Sequence, residues 1–548
     1  MQKQECHTLN FSYIQAPQEL NYPMAVPHAM LVYFNITLRL LSAILLCFLP
    51  GHKILAQTLA SPLNYTVSTS QPESHYYHVE LQTSGWKHDT LEFKMPNWTP
   101  GYYQLLKYAN AVENFAVEDD HHKSLTSRKL NGNTWEVTGI KNKSFNLRYD
   151  IKADKQFVAQ SYLDSARGYI VPAGIFLYIN GHLNIPARIT LEVNKRWKIA
   201  TGLAMVDKKQ NEFTAPDFDI LYDCPILMGN LEELPSFKVN GIEHRFIGYK
   251  PGTFDRVQFM LNLKKMIASA VAVIGDIPFD QYTFIGIGPG QGGIEHLNNT
   301  TVSFNGDELR SPEDMHRIMN FLAHEYFHHY NVKRIRPFEL GPFDYDKGSK
   351  TNLLWVSEGL SVYYEYLIVK RAGLIDERTL YVDFENNINA TQNNPGRFYQ
   401  SLTQASYKTW SDGPFGKQGE DANKSISYYD KGPVVGLLLD FAIRHATQNK
   451  KSLDDVMKSL YWQYYKKLGR GFTDAEFEQT CETIAATSLT NLFEYVYTTK
   501  ELDFNTYLAY GGLKVDIQDT AKGKKYTLKR VEKMDTLQSA ILKSWLGE

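Results

Sequence analysis

Within Ala323-His324-Glu325-Tyr326-Phe327-His328-His329, two histidines stand four residues apart and a carboxylate follows the first directly. On a helix these two positions share one face a single turn apart, so both imidazoles can reach one Zn2+ at ~2.0–2.1 Å. Glu325, beside the first histidine, is then placed to serve as general base toward a water on that metal, the arrangement of metal-assisted hydrolysis. His329 is adjacent, but neighbouring helical residues diverge by about 100°, which assigns it to the surroundings of the site or to the surface. Two histidines leave a catalytic zinc one protein ligand short. Three downstream carboxylates offer themselves: Glu339, Glu358 and Glu365. Glu339 follows Pro337 and is expected in a loop. Glu358 heads a second helical stretch and is the first choice; Glu365 lies two turns along the same stretch, and spacing alone does not separate the candidates.

A motif of this kind works only on a helix, and the residues before it supply one. Ser311-Pro312-Glu313-Asp314 gives an N-cap, a proline at the first helical position and acids in the first turn. Met315, Ile318, Met319 and Leu322 then form the apolar stripe. Helices are also predicted over Phe254–Ile274, Glu358–Arg371, Pro433–His445, Ser452–Lys467 and Thr473–Ala485, the last two opened by the capping boxes Ser452/Asp455 and Thr473/Glu476. A strand is expected over Tyr282–Gly288. From about Tyr65 to Lys250 the period is two instead, in runs such as His75–Gln82, Thr90–Met95, Thr134–Ile140, Phe145–Ile151, Arg188–Val193 and Arg245–Tyr249. Turn chemistry at Met95-Pro96-Asn97-Trp98-Thr99-Pro100-Gly101 and Asn131-Gly132-Asn133 separates them, and Trp98 with the Pro-Gly-Tyr-Tyr turn after it is expected as a packed β-turn, with reach into the cleft as the alternative. The predicted class is therefore a multidomain α+β chain: an all-β, sandwich-like domain over 58–250, a mainly helical catalytic domain over 251–500, and a short tail over 501–548 with two possible strands and an amphipathic end.

Composition narrows the function. The 548 residues are 43% apolar and 22% charged, an ordinary globular balance. Lys and Arg number 58 against 60 acidic residues, a net charge of -2, which argues against nucleic acid as a partner. Of four cysteines, Cys6 and Cys47 lie in the N-terminal stretch, while Cys224 and Cys481 are expected as buried small hydrophobes. Leu40–Leu49 is an apolar run preceded by Arg39 and followed by Pro50 and Gly51. It is half the ~20 residues of a bilayer span but fits a secretory signal, cut near Ala56 or Ala60. Residues 1–57 are thus expected to be a signal region, with Met24 or Met30 as the natural start. The remainder is expected to be exported to a bacterial periplasm or beyond, without a membrane span.

The stretch His324–Glu365, HEYFHHYNVKRIRPFELGPFDY followed by LLWVSEGLSVYYE, closely resembles the glycyl aminopeptidase family of gluzincin metallopeptidases. That resemblance implies a thermolysin-like helical domain, one zinc per chain, Glu358 as the third ligand, and removal of N-terminal residues from peptides with a preference for Gly or Ala. Gly292-Gly293-Ile294-Glu295-His296 is similar to the family's G-G-x-E-H element. It implies that Glu295 holds the substrate's terminal ammonium by charge-assisted hydrogen bonds, while Gly292 and Gly293 let the backbone approach the substrate. Tyr428-Tyr429-Asp430-Lys431-Gly432 is similar to the Y-x-K-G element of the aminopeptidase N group, which implies that Tyr429 stabilises the oxyanion. A dinucleotide-loop reading of Gly288 to Gly293 is excluded by Pro289 and by the non-helical Leu297–Val302 that follows. Asn331, Lys333, Arg334 and Arg336 belong to the resembling block and are expected to buttress the site or to lie solvated past the helix end. Asp346 to Lys350 departs from the family's usual acidic and aromatic loop, and the PDZ-like domain common in the family is expected to be truncated or absent. Two rival readings remain: a zinc endopeptidase or other zinc hydrolase on the same scaffold, and a secreted zinc-binding protein without turnover.

Overall fold

A computed structural model describes residues 62–548 apart from Lys208 and Lys522. The run read as a secretory signal, with its cleavage positions, lies outside the described residues. From Leu63 to Gly229 the period-two pattern becomes a β-rich domain of seven-, five- and four-stranded sheets. Tyr76–Ser84 pairs antiparallel with Ser144–Lys152 along its whole length, and Leu63–Ser68 bridges it to a parallel neighbour, Ala187–Glu192. Alternate residues of these strands, Val79, Leu81, Leu147, Ile151 and Ile189 among them, face one buried core. The abundance of tyrosine has a use here. Tyr149 and Tyr222 bury their rings in this core and donate their hydroxyls to the Ile175 and Phe176 carbonyls at 2.8 and 2.9 Å, and Tyr65 does the same to Leu177.

The strands after residue 230 precede the helical region in sequence but pack with it. Leu231–Glu233 and Ile242–Tyr249 join Gln281–Gly286, Asn299–Val302 and the edge strand Gly293–Glu295 in a six-stranded sheet to which Phe237–Val239 also pairs. Phe246 packs its ring on Phe259 and Phe304, inside the core of the helical domain. The expected boundary at 250 therefore shifts to about 230 when drawn by packing, because period two cannot tell which core a strand faces.

Among the described residues, the helices Arg256–Ile274, Pro312–Phe327, Leu360–Arg371, Glu377–Asn393, Tyr428–Ala446 and Asp474–Ala485 frame that core. The first is apolar and long enough to cross a membrane, but its stripe of Phe259, Leu263, Met266, Ile267 and Ala270 is buried in the protein. Both predicted capping boxes form, at Ser452/Asp455 and Thr473/Glu476. The helix from Ser452 changes character midway, with α geometry over Leu453–Leu460 and π geometry over Tyr461–Leu468.

The segment 501–548, expected as a tail, is built into the helical domain. Its hairpin, Leu513–Thr520 with Gly523–Arg530, lies along Glu377–Asn393, whose Asn389 side chain donates to the Tyr526 carbonyl at 2.8 Å and accepts from its N–H at 2.9 Å. Glu385 accepts from the Leu528 N–H at 2.7 Å. The final helix, Thr536–Leu546, inserts Trp545 between Phe384 and Phe441, and the indole N–H donates to the Tyr363 hydroxyl at 3.0 Å. The amphipathic pattern was visible, but the surface it covers lies more than 100 residues away in sequence.

Candidate active site and metal centre

The motif helix starts as its sequence requires. The Ser311 hydroxyl accepts from the Asp314 N–H at 3.1 Å, Pro312 occupies the first turn, and the helix runs to Phe327 with His328 at its C-cap. His324 and His328 project from one face and bring their Nε2 atoms within 2.8 Å of each other. Glu358 Oε2 lies 3.6 Å from His324 Nε2 and 3.2 Å from His328 Nε2. Among the described residues these three side chains form the one cluster of His, Cys, Asp or Glu groups able to hold a metal ion.

The donor set fits zinc: two imidazole nitrogens and one carboxylate oxygen, with the outer nitrogen of each ring engaged elsewhere. His328 Nδ1 lies 2.7 Å from the Asn331 carbonyl, and His324 Nδ1 lies 2.8 Å from Glu365 Oε2. Glu365, open as a rival ligand on spacing alone, thus faces the outer edge of His324, and Glu339 accepts from the Thr351 hydroxyl at 3.0 Å. Burial works to raise the Glu358 carboxyl, but the His328 and His324 rings facing it prevail and hold it well below the usual carboxylate range.

Glu358 reaches the cluster through local backbone geometry. Trp355–Gly359 is a single π-helical turn feeding the helix Leu360–Arg371, the kind of irregularity that collects at functional sites. Asn331 ties this turn to the end of the motif helix: its amide donates to the Val356 and Ser357 carbonyls at 2.8 and 3.1 Å and to the Ser361 hydroxyl at 3.1 Å.

Tyr429 enters from the first turn of Tyr428–Ala446, and its hydroxyl donates to Glu358 Oε2 at 2.8 Å. Burial, then the Glu358 charge, keep its phenol protonated far above the ordinary range. Pro433 sits in the same helix and cannot donate to the Tyr429 carbonyl four residues back. The Asn387 side chain donates there instead, at 3.3 Å. Gly359 and Gly432 bring the two helices together backbone to backbone, for a Cβ on either would lie 2.7 or 2.6 Å from the other's Cα. Phe415, 72% exposed, packs its ring 5.5 Å from that of Tyr429 and forms an apolar rim.

Glu295 ends the edge strand, paired with Thr300. It is 4% exposed and its Oε1 has no hydrogen-bond partner in the protein. Gly293, on the same strand face, lies against Glu325: a Cβ there would meet Cδ and Oε1 of Glu325 at 2.5 Å. This glycine makes room for the Glu325 carboxylate. Gly292, with φ of 88°, supplies the left-handed turn before the strand. Burial pushes the Glu325 carboxyl up to about 7, against the pull of the His324 and His328 rings.

The β domain contributes directly through Pro100-Gly101-Tyr102-Tyr103, the turn that reaches the cleft instead of only packing on its own domain. Tyr103 donates to Glu358 Oε1 at 3.1 Å. Gly101, with φ of 91°, abuts Glu295, whose Oε2 would lie 2.8 Å from a Cβ at that position. The clue was a Trp-x-Pro-Gly turn with two tyrosines and no strand of its own. Trp98 itself is fully buried and donates to the Asp344 carbonyl at 2.8 Å. Asp346, in the stretch that departs from the family pattern, pairs with Lys94 and accepts from Asn133 at 2.8 Å, so that stretch docks the two domains.

The residues after the motif lie inside the protein. Lys333 pairs with Asp223 of the β domain at 2.6 Å, and Asp223 accepts from the Leu297 N–H at 2.7 Å, securing the strand that carries Glu295. Burial raises the Asp223 carboxyl, but the Lys333 ammonium and then His296 outweigh it and hold it at about 2. Arg334 donates to the carbonyls of His329 and Leu297 at 2.7 and 3.0 Å. Arg336 is largely buried, its guanidinium against Gly341. His329, expected around the site or at the surface, is fully buried among Phe279, Tyr282, Tyr326 and Tyr330. That desolvation keeps it well below its usual pKa. Cys224 and Cys481 are buried free thiols.

Comparison with known proteins agrees with this geometry. Residues 64–230 match the Peptidase M61 N-terminal domain and residues 317–435 match the M61 glycyl aminopeptidase domain. No curated protein matches the chain. Among solved structures, an aminopeptidase N family protein from Idiomarina loihiensis is similar at 26% identity and TM-score 0.79, over 83% of this chain and 79% of that one. An M1 zinc metallopeptidase from Deinococcus radiodurans is more distant, at 13% identity and TM-score 0.49, over 81% of this chain and 95% of that one. Yeast LTA4 hydrolase in complex with bestatin stands at 15% identity and TM-score 0.49, over 82% and 70%. With both domains of one family matched in order around a His-His-Glu cluster, the chain belongs to the M61 glycyl aminopeptidase family and is a zinc-dependent metallo-aminopeptidase.

Proposed function

We propose that the chain is an exported aminopeptidase that releases small N-terminal residues, glycine or alanine, from peptides with one zinc per chain. The observation that carries the aminopeptidase reading is Glu295: a buried carboxylate with an unpartnered oxygen, on the strand that also abuts the general base. A terminal ammonium gives that oxygen its missing donor and fixes the first peptide bond at one distance from the metal cluster. His324, His328 and Glu358 would hold Zn2+, which supplies Lewis acidity and a lowered pKa for water when bound. Glu325 takes the proton of the attacking water and returns it to the leaving amine. Tyr429 donates to the oxygen on which negative charge develops.

The preference for Gly or Ala draws its support from the family, and export from the run Leu40–Leu49. The test pairs glycyl and alanyl anilides with N-acetylated peptides. Turnover of free amines alone is expected, whereas cleavage of acetylated peptides would make the chain an endopeptidase. Glu358→Ala is expected to lose zinc, and Glu325→Ala to keep zinc without activity. A Glu358→Ala enzyme retaining both would overturn the ligand set. Fractionation of expressing cells, with N-terminal sequencing of the product, checks export.

A further inference from the structure

We infer that Tyr103, from the β domain, is a positioning residue for the metal centre, holding Glu358 by Oε1 so that Oε2 alone is offered to the metal. The inference rests on Glu358 being the third ligand. The two oxygens of this carboxylate have different surroundings. Oε2 faces the His328 and His324 Nε2 atoms at 3.2 and 3.6 Å, whereas Oε1 accepts from the Tyr103 hydroxyl at 3.1 Å. A carboxylate free to pivot can give a metal one oxygen or two. A donor on the far oxygen fixes the first mode and preserves an open coordination position for substrate.

Tyr103 is built to stay where it is. Its ring is buried, edge-on to Trp410 at 6.3 Å between centroids, and it follows the tight turn at Gly101 that rests against Glu295. Tyr429, the second phenol on the same carboxylate, behaves oppositely. It bonds Oε2, the oxygen the histidines face, so it competes with a metal for that atom instead of supporting the ligand. Two hydroxyls on one carboxylate should thus give opposite phenotypes.

The experiment measures zinc release from the full-length holoenzyme into a chromophoric chelator, with wild type, Tyr103→Phe, Tyr429→Phe and Glu358→Gln side by side. Tyr103→Phe, which removes one oxygen and keeps the ring, is expected to release zinc about 10–100-fold faster. Tyr429→Phe should release it no faster than wild type. The cobalt-substituted enzymes add a signature that loosened packing does not produce. In Tyr103→Phe the freed carboxylate takes a second oxygen onto the metal, coordination number rises, and the visible absorption weakens, while Tyr429→Phe retains it. Wild-type release from Tyr103→Phe overturns the proposal, and so does faster release with an unchanged cobalt spectrum. Retention of zinc by Glu358→Gln at the wild-type rate would instead overturn the ligand assignment beneath it.

Discussion

Replacing Gly293 by alanine isolates the placement of Glu325 from other properties of the site. A Cβ at 293 would meet Cδ and Oε1 of Glu325 at 2.5 Å and Cγ at 3.0 Å, whereas ordinary contact begins near 3.4 Å. The carboxylate must therefore retreat by 3.4 less 2.5, about 0.9 Å, a displacement of the size that costs ~10²-fold in rate. As a barrier that is about 2.7 kcal/mol. Gly293 lies in a strand without a left-handed φ, so alanine introduces no backbone strain, and what yields is the end of a side chain. The signature is specific: kcat on glycyl and alanyl anilides falls about 100-fold, while zinc content and melting temperature stay close to wild type. Steady-state kinetics with metal analysis and calorimetry on one preparation give all three. A Gly293→Ala enzyme with wild-type kcat would refute the placement of Glu325 as the group that moves the proton.

Tyr429→Phe is expected to lower kcat by about 10²–10³-fold with zinc retained, the effect of losing one oxyanion donor, and an unaffected kcat would remove Tyr429 from the chemistry. Burial holds the His244 imidazole down to about 4, against ~6.5 when unfolded, so the unfolded chain takes up the proton first. Stability present above pH 6.5 is accordingly lost as pH falls toward 4, by about 3 kcal/mol. Urea unfolding of wild type and His244→Gln between pH 4 and 7 should show the variant lacking that component, and parallel pH slopes would count against it. Trp545→Ala is expected to cost about 3–5 kcal/mol, because the indole fills a fully buried space between Phe384 and Phe441. An unchanged urea midpoint would show that the last helix is not part of the peptidase core.

Features that depend on neighbours in sequence were legible without the structure. The Ser311 cap, the two histidines on one face and the capping boxes at Ser452 and Thr473 are all set within a few residues. The third ligand was not, because spacing alone leaves Glu358, Glu339 and Glu365 open. Its place at the head of a helix favours Glu358 and the resemblance strengthens that choice, but only the fold shows that Glu365 instead faces the outer nitrogen of His324. The turn at Gly101 and Tyr103 is legible as one that could reach the cleft, but not what it meets there, because Glu295 and Glu358 lie some 200 to 250 residues further along. His329 was misplaced for a related reason. Its neighbours on the helix predict its direction, but the aromatic box that desolvates it includes Phe279 and Tyr282 from a separate strand and loop. At Gly293 the glycine was legible but its neighbour Glu325 was not, since a missing side chain does not reveal which atom fills the space.

The contact between Gly359 and Gly432 bears on how this enzyme chooses its substrates. One glycine follows the carboxylate that faces the histidines, the other stands three residues after the phenol, and their backbones touch with no volume to spare. The backbones that carry Glu358 and Tyr429 thus meet in a single tight joint, which fixes where the two side chains start. Discrimination between substrates then falls to what surrounds the joint: the edge strand that presents Glu295 and the exposed rim at Phe415.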